Sequence, residues 1–138
     1  MDRKTILIVA DDASFTRAIS ARLNAEGYEP IATVGASEAM IAIRRREPDL
    51  IIVDLTFPPD VGHGGGVPWD GFLIINWIRR MGSLTTTPAI LVTATDPTPH
   101  AERARSSGFS GLFQKNVDPA IFLGSIHRLL GATSPTAA

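Results

Sequence analysis

Short runs of apolar residues recur along this chain without polar alternation. Four of them occupy residues 6–9, 50–53, 90–92 and 112–113, and a short fifth strand is expected near residues 28–33. Runs of this length are typical of strands buried on both faces of a parallel sheet. Apolar side chains recur at helical spacing between them. The pattern therefore predicts an α/β fold of the (βα)5 type, with helices on both faces of a five-stranded parallel sheet.

Capping residues and chain breakers suggest where the helices lie. We expect one helix between Asp12 and Gly27 and others over residues 36–46, 71–81, 99–107 and 119–130. Asp118 is a suitable N-cap for the last helix, because Pro119 then takes the first helical position. A single domain over residues 1–130 is expected, with residues 131–138 forming a flexible tail or the start of a linker.

Composition narrows the function classes. The chain has 138 residues, with 13 Lys and Arg against 14 Asp and Glu, for a net charge of −1. This balance argues against direct nucleic acid binding, which usually makes a domain basic. The absence of cysteine excludes disulfides and thiol catalysis. No apolar run approaches the length of a signal peptide or a membrane span. A cytoplasmic protein without membrane contact is therefore expected.

Reactive side chains follow the four longer apolar runs. Asp11 and Asp12 follow the first run, Asp54 follows the second, Thr93 the third and Lys115 the fourth. In parallel sheets, ligands bind at the carboxyl ends of the strands, near the point where strand order reverses. Three carboxylates, a hydroxyl and an ammonium group are thus expected at one edge of the sheet. That set suits a divalent cation and a phosphoryl group.

Taken in order, these positions resemble the receiver domain of two-component response regulators. The matching residues are Asp11-Asp12, Arg17, Asp54, Pro58, Asp70-Gly71, Thr93-Ala94 and Lys115. The resemblance covers roughly residues 4–130 and implies a flavodoxin-like sheet in the order 2-1-3-4-5. It also implies that Asp54 accepts a phosphoryl group from a phosphohistidine on a sensor histidine kinase or a phosphotransfer protein. Such a domain is not an enzyme, since it promotes only its own phosphorylation and dephosphorylation.

The negative charge of the predicted site calls for a counter-ion. Two like charges about 4 Å apart repel by about 4 kcal/mol at an effective dielectric constant of about 20. Oxygen donors with positions left for water favour Mg²⁺, with Mn²⁺ as a substitute. We expect Asp12 and Asp54 to bind the cation directly, together with the backbone carbonyl of Thr56. Asp11 is expected to act through water.

The same set of groups can transfer a phosphoryl group. Asp54 would be the nucleophile, while Lys115 and Thr93, with the small Ala94 beside it, would hold the phosphoryl oxygens. Other phosphate-binding sheets match less well. Rossmann and P-loop domains place glycines after their first strand, and haloacid dehalogenase-like phosphatases carry a second Asp where this chain has Thr56.

Three features depart from the family pattern. Residues 59–69 form an insertion in a loop that usually runs two to six residues. Leu112 stands where the family has Tyr or Phe, and Asn116 stands where it has a cis proline. A non-proline cis bond costs ~3 kcal/mol, so we expect a trans bond after Lys115. Phosphoryl transfer should survive these changes. Whether the domain signals to a partner through the same face as other members of the family is left open by them.

The third helix is predicted to be apolar on its outer face. Leu73 and Trp77 are four residues apart and therefore lie on the same side of the helix. We expect them to be covered by the insertion, through Trp69, or by a partner subunit in a homodimer. Together with Leu112, these residues are the predicted interaction surface for an effector partner.

Two function classes remain open at this stage. The favoured one is a phosphorylatable, Mg²⁺-dependent receiver whose state switches its interactions with a partner. The alternative is a receiver-fold interaction module that works without phosphorylation, through the insertion at residues 59–69. The five polar groups at the strand ends favour the first, because the second has no use for all of them.

Overall fold

Strands and helices alternate throughout residues 3–56 and 70–131, the ranges that the structure, a computed structural model, describes. Strands β1 to β5 are Thr5–Val9, Glu29–Thr33, Leu50–Asp54, Ala89–Thr93 and Gly111–Gln114. Helices α1 to α5 are Ala13–Ala25, Ala36–Arg45, Gly71–Arg79, Ala101–Ser106 and Pro119–Leu129. Short 3-10 turns occupy Gly82–Leu84 and Thr98–His100.

All five strands are parallel and lie in the order β2-β1-β3-β4-β5. The predicted (βα)5 architecture and flavodoxin-like strand order are therefore confirmed. The chain leaves β1 toward β2 on one side and later reaches β3 on the other. Strand order thus reverses between β1 and β3, and the ligand crevice of such a sheet lies there. The register pairs Val9 with Val53, and Asp54 with Val92.

The three central strands are buried along their whole length. Successive side chains point to opposite faces, and helices cover both, so the positions are apolar except at the strand ends Thr5, Asp54 and Thr93. Helices α1 and α5 pack on one face through Ile19, Leu23, Phe122 and Ile126. Helices α2, α3 and α4 pack on the other face. Within the described ranges, no helix combines the length and the apolar character needed to cross a bilayer.

Aspartates begin three of the helices. Asp12, Asp70 and Asp118 are the N-caps of α1, α3 and α5, and each carboxylate accepts a backbone N–H of the first turn at 2.9–3.1 Å. Such a cap satisfies an otherwise unpaired donor and places negative charge at the positive end of the helix dipole. The predicted cap at Asp118, with Pro119 at the first helical position, agrees with this geometry.

Two helices are shorter than the sequence indicated. Helix α3 ends at Arg79, whose guanidinium donates to the backbone carbonyls of Leu84 and Gly108 and so ties the following turn to the end of α4. Helix α4 is preceded by a 3-10 turn, because the Asp96 carboxylate accepts the backbone N–H of Thr98 at 3.0 Å. Hydrogen bonds between side chains and backbone set these ends, and apolar periodicity does not predict such bonds.

Gly71 allows α3 to start directly against the end of β3. A Cβ at this position would lie 2.6 Å from the backbone oxygen of Asp54 and 2.7 Å from a methyl group of Leu91. The Gly71 backbone N–H also donates to the carbonyl of Leu55 at 2.9 Å. The Asp-Gly pair therefore combines a helix cap with a close approach of backbone to backbone at the edge that carries Asp54.

Replacing Gly71 by alanine should destabilise the domain by about 1–3 kcal/mol, the usual cost of overpacking. Urea unfolding measures the change. Gly124→Ala is the matched control, since Gly124 lies inside α5 with nothing close to its missing Cβ. That variant should gain about 0.5–1 kcal/mol through helix propensity. Equal changes in the free energy of unfolding of the two variants would show that the contact at Gly71 is not tight.

Candidate functional site

Lys115 connects the ends of two neighbouring strands. Its Nζ lies 2.6 Å from Oδ2 of Asp54, the last residue of β3, and 2.9 Å from Oδ2 of Asp12, which follows β1. The Lys115 backbone N–H donates to the carbonyl of Thr93 at 2.8 Å, which fixes this residue against the end of β4. The structure thus brings Asp12, Asp54 and Lys115 together at the crevice between β1 and β3.

The three charged groups differ in burial and therefore in acidity. Asp54 is only 2% exposed. Burial raises the pKa of its carboxyl group, and the hydrogen bond from Lys115 offsets only part of this rise. The hydrogen bond from Lys115 lowers the pKa of the more exposed Asp12, helped by the backbone N–H of Phe15. Burial acts to lower the pKa of Lys115, but the hydrogen bonds to both carboxylates raise it overall. Two negative charges thus share one ammonium group.

One oxygen of Asp54 has no partner. Oδ1 is buried and makes no hydrogen bond within the described residues, although buried polar atoms are almost always paired. An unpaired carboxylate oxygen in a site of net negative charge suits a cation or an incoming electrophile. Since no three acidic, His or Cys side chains of the described ranges lie together as a metal site, a cation here would need backbone and water oxygens as well. Mg²⁺ accepts such a mixed set.

Asp11 lies at the rim of this group. It is exposed and forms no hydrogen bond or ion pair in the described part of the chain. It lines an open groove with Asp12 and Arg17 along the start of α1. Of the three carboxylates expected to converge, two therefore share Lys115, while the third faces the groove beside them.

Thr93 lies at the same edge but bonds elsewhere. It is buried at the end of β4, level with Gln114 of β5. Its Oγ1 is 3.2 Å from Oγ1 of Thr95 and accepts the Thr95 backbone N–H at 3.2 Å. The carbonyl of the exposed Ala94 accepts from Nε2 of Gln114 at 3.4 Å. No hydrogen bond joins the Thr93 hydroxyl to Asp54 among the described residues.

The two residues before Gln114 point to opposite faces of β5. Leu112 is half-buried and packs on the side of α2, α3 and α4. Phe113 packs on the α1 and α5 side, edge-on to Phe122 with ring centroids 5.3 Å apart. The bond between Lys115 and Asn116 is trans, as expected. Leu112 therefore places an aliphatic side chain where the family has Tyr or Phe.

The predicted interaction surface is only partly described. Leu73 is 39% exposed, while Trp77 is half-buried and packs against the core. Pro58, the insertion at residues 59–69, which includes Trp69, and residues 132–138 lie outside the described ranges. Cover of Leu73 by the insertion therefore stays a prediction.

Phe15 is a site residue that the sequence did not single out. Nζ of Lys115 lies 5.3 Å from the centroid of its ring, within the range of a cation–π contact. In the sequence, Phe15 is one of the apolar side chains that recur at helical spacing between the strands. Phe15 lies three residues after Asp12, about one helical turn away, and this spacing could have indicated that the two side chains lie close together. Thr95 and Gln114 were missed as well, because their contacts depend on how the turns after β4 and β5 meet.

A parallel sheet of this order, with paired acidic groups and a lysine at the carboxyl ends of its strands, defines the receiver class of signalling domains. Comparison with protein families agrees, since the sequence model of the response regulator receiver domain matches residues 6–127. The chain belongs to the response regulator receiver domain family. Receiver domains act in two-component signalling and are in general not enzymes.

Several proteins that resemble this chain are close to it in length. The polar-differentiation response regulator DivK of Brucella anthropi is 28% identical over 128 residues, covering 93% of this chain and 97% of the relative. The chemotaxis protein CheY4 of Vibrio cholerae superposes with a TM-score of 0.80 at 22% identity, covering 93% and 99% of the two chains. A CheY-like receiver domain protein of Methanospirillum hungatei gives a TM-score of 0.78 at 22% identity, covering 94% and 95%. These two structures share the fold.

Lys115→Met should destabilise the domain by about 1–3 kcal/mol at neutral pH, because it leaves two carboxylates without a counter-charge. A group with a lowered folded pKa, such as Asp12, stabilises above its unfolded pKa and loses that contribution as pH falls through the folded value. The difference from the wild type should therefore shrink as pH falls, first as the buried Asp54 of the variant takes up a proton and then, below about pH 4, as Asp12 does. Urea unfolding across pH measures this.

Lys4→Met is the matched control for this variant, since Lys4 is exposed. It should change stability little at any pH. Added Mg²⁺ should restore more stability to Lys115→Met than it adds to the wild type, because the cation then supplies the missing charge. A loss in Lys115→Met that does not depend on pH or Mg²⁺ would point to packing of the lysine stem instead of charge.

Proposed function

We propose that this domain accepts a phosphoryl group on Asp54 from the phosphohistidine of a sensor histidine kinase or a phosphotransfer protein, and that phosphorylation switches its binding to a partner. The observation that carries this proposal is that Oδ1 of the buried Asp54, at the crevice of the sheet, has no hydrogen-bond partner within the described ranges. An oxygen free of hydrogen bonds keeps its lone pairs for attack on phosphorus. The hydrogen bond from Lys115 to the other oxygen, Oδ2, holds the carboxylate in that orientation.

In the proposed reaction, Oδ1 of Asp54 forms a bond to phosphorus while the bond from phosphorus to the histidine nitrogen breaks. The imidazole leaves with the electron pair of that bond and takes up a proton. Lys115 is close enough to donate to an oxygen of the phosphoryl group, and the hydroxyl of Thr93, next to the small Ala94, is placed at the same edge to donate to another. The role of the chain is to position these groups and supply charge.

Charge balance supports a divalent cation at this site. Asp12 and Asp54 carry two negative charges against the single positive charge of Lys115, and the phosphoryl group adds more. We propose that Mg²⁺, or Mn²⁺ in its place, is held by Asp12, Asp54 and the backbone carbonyl of Thr56, with Asp11 acting through water. When bound, the cation would neutralise charge on the transferring phosphoryl oxygens.

The proposed partner surface is the outer face of α3 together with Leu112. Leu73 is exposed there, and Trp77 lies one turn further along the same face of the helix. A homodimer subunit or an effector protein could cover this face. The net charge of −1 agrees with a protein partner instead of nucleic acid. We propose that the domain meets this partner in the cytoplasm, without membrane contact.

Incubation with acetyl phosphate and Mg²⁺ should add one phosphoryl group, seen by intact-mass measurement, and Asp54→Asn should gain none. Asp12→Asn should slow the reaction by at least ~10²-fold, because a ligand and its charge are lost. Asn caps helices as well as Asp does, so this variant keeps the start of α1. Phosphorylation of Asp54→Asn at the wild-type rate would refute the proposal. A wild-type protein that gains no mass would favour the interaction module that works without phosphorylation.

A further inference from the structure

The hydroxyl of Thr93 is engaged by a residue two positions further along the chain. Thr93 is buried, whereas Thr95 is exposed on the turn after β4. The two hydroxyl oxygens are 3.2 Å apart, and the Thr95 backbone N–H also donates to Thr93 Oγ1 at 3.2 Å. Within the described residues these are the hydrogen bonds that the Thr93 hydroxyl makes.

By geometry alone either hydroxyl of the pair could be the donor, and the count of donors and acceptors favours donation by Thr93. A hydroxyl has one proton to donate and two lone pairs to accept with. The Thr95 backbone N–H already uses one lone pair of Thr93 Oγ1. The buried proton of Thr93 finds its acceptor in the oxygen of Thr95, since no other acceptor contacts it in the described part of the chain. The exposed Thr95 can give its own proton to water.

We propose that Thr95 is a positioning residue that holds the Thr93 hydroxyl away from Asp54 in the unphosphorylated domain, and so sets how readily the phosphorylated state forms. The inference rests on the proposed function, because it assumes that a phosphoryl oxygen on Asp54 accepts the Thr93 proton. Thr93 has a single proton, so the phosphoryl group and Thr95 compete for it. A charged phosphoryl oxygen is the stronger acceptor. Thr95 therefore makes the phosphorylated state less favourable but does not prevent it.

Substitution at Thr95 can remove this competition with little other change. Valine keeps the branched shape of threonine and the backbone N–H that donates to Thr93, while it deletes the competing oxygen. Serine keeps the oxygen. The turn has a second contact that does not involve Thr95, because the side chain of Gln114 donates to the carbonyl of Ala94. The turn should therefore retain its position in both variants, and a difference between them reports the hydroxyl.

The test is a titration with beryllofluoride, a phosphate analogue, in the presence of Mg²⁺, followed by NMR. Thr95→Val should bind the analogue about fivefold more tightly than the wild type, the effect of one neutral hydrogen bond. Thr95→Ser should bind like the wild type. In a Thr93→Ala background, Thr95→Val should have no effect, because the competed proton is gone. Weaker or unchanged binding by Thr95→Val, or the same gain in the Thr93→Ala background, would overturn the proposal.

A second measurement needs no phosphate analogue. Side-chain coupling constants of Thr93 should report one dominant rotamer in the wild type and in Thr95→Ser, and a larger share of other rotamers in Thr95→Val, where only the backbone N–H of residue 95 still binds the Thr93 oxygen. An unchanged rotamer in Thr95→Val would overturn the positioning role. Absence of beryllofluoride binding by the wild type would instead contradict the proposed phosphorylation of Asp54, while the coupling constants would still decide the role of Thr95.

Discussion

The ammonium group of Lys115 lies between two carboxylates at the carboxyl edge of a buried sheet, and the other features of the site depend on that contact. Asp54 belongs to a strand whose side chains are inaccessible to water, so its charge is costly unless it is paired. Lys115 supplies the pairing and also draws in Asp12, the cap of α1. One ammonium cannot balance two carboxylates, and the site therefore keeps a net negative charge. That residual negative charge favours the binding of a divalent cation.

The fold could be predicted because a strand that is buried on both faces is a nearly continuous run of apolar residues, which is easy to recognise in the sequence. Strands such as β1 and β3 are apolar except for Thr5 at the start of β1 and Asp54 at the end of β3, and parallel pairing places their carboxyl ends together. The contacts of the two neighbouring aspartates could not be predicted in the same way. The register places Ala10, the residue after Val9, level with Asp54. Asp12 then reaches Lys115 because it caps α1, while Asp11 faces the groove.

Helix ends and turns were harder to predict for a related reason. The end of α3 depends on the contacts of Arg79 with the carbonyls of Leu84 and Gly108, and the hydrogen bonds of Thr93 depend on the turn that carries Thr95. Such contacts depend on how the turns fold, which the apolar periodicity of the sequence does not indicate. Gly71 is the exception, because the Asp-Gly pair was recognised in the sequence and the structure supplies its reason. Only a residue without a Cβ lets α3 begin against Asp54.

The charge balance at Asp54 is tested most directly by following its carboxyl carbon by ¹³C NMR as a function of pH, with and without Mg²⁺. Without the cation, burial should hold the pKa of Asp54 above the ordinary value of about 3.9. With saturating Mg²⁺, the pKa should fall well below that value, because the cation stabilises the carboxylate. An ordinary pKa under both conditions would contradict the account, since it would mean that Asp54 is solvated and binds no cation.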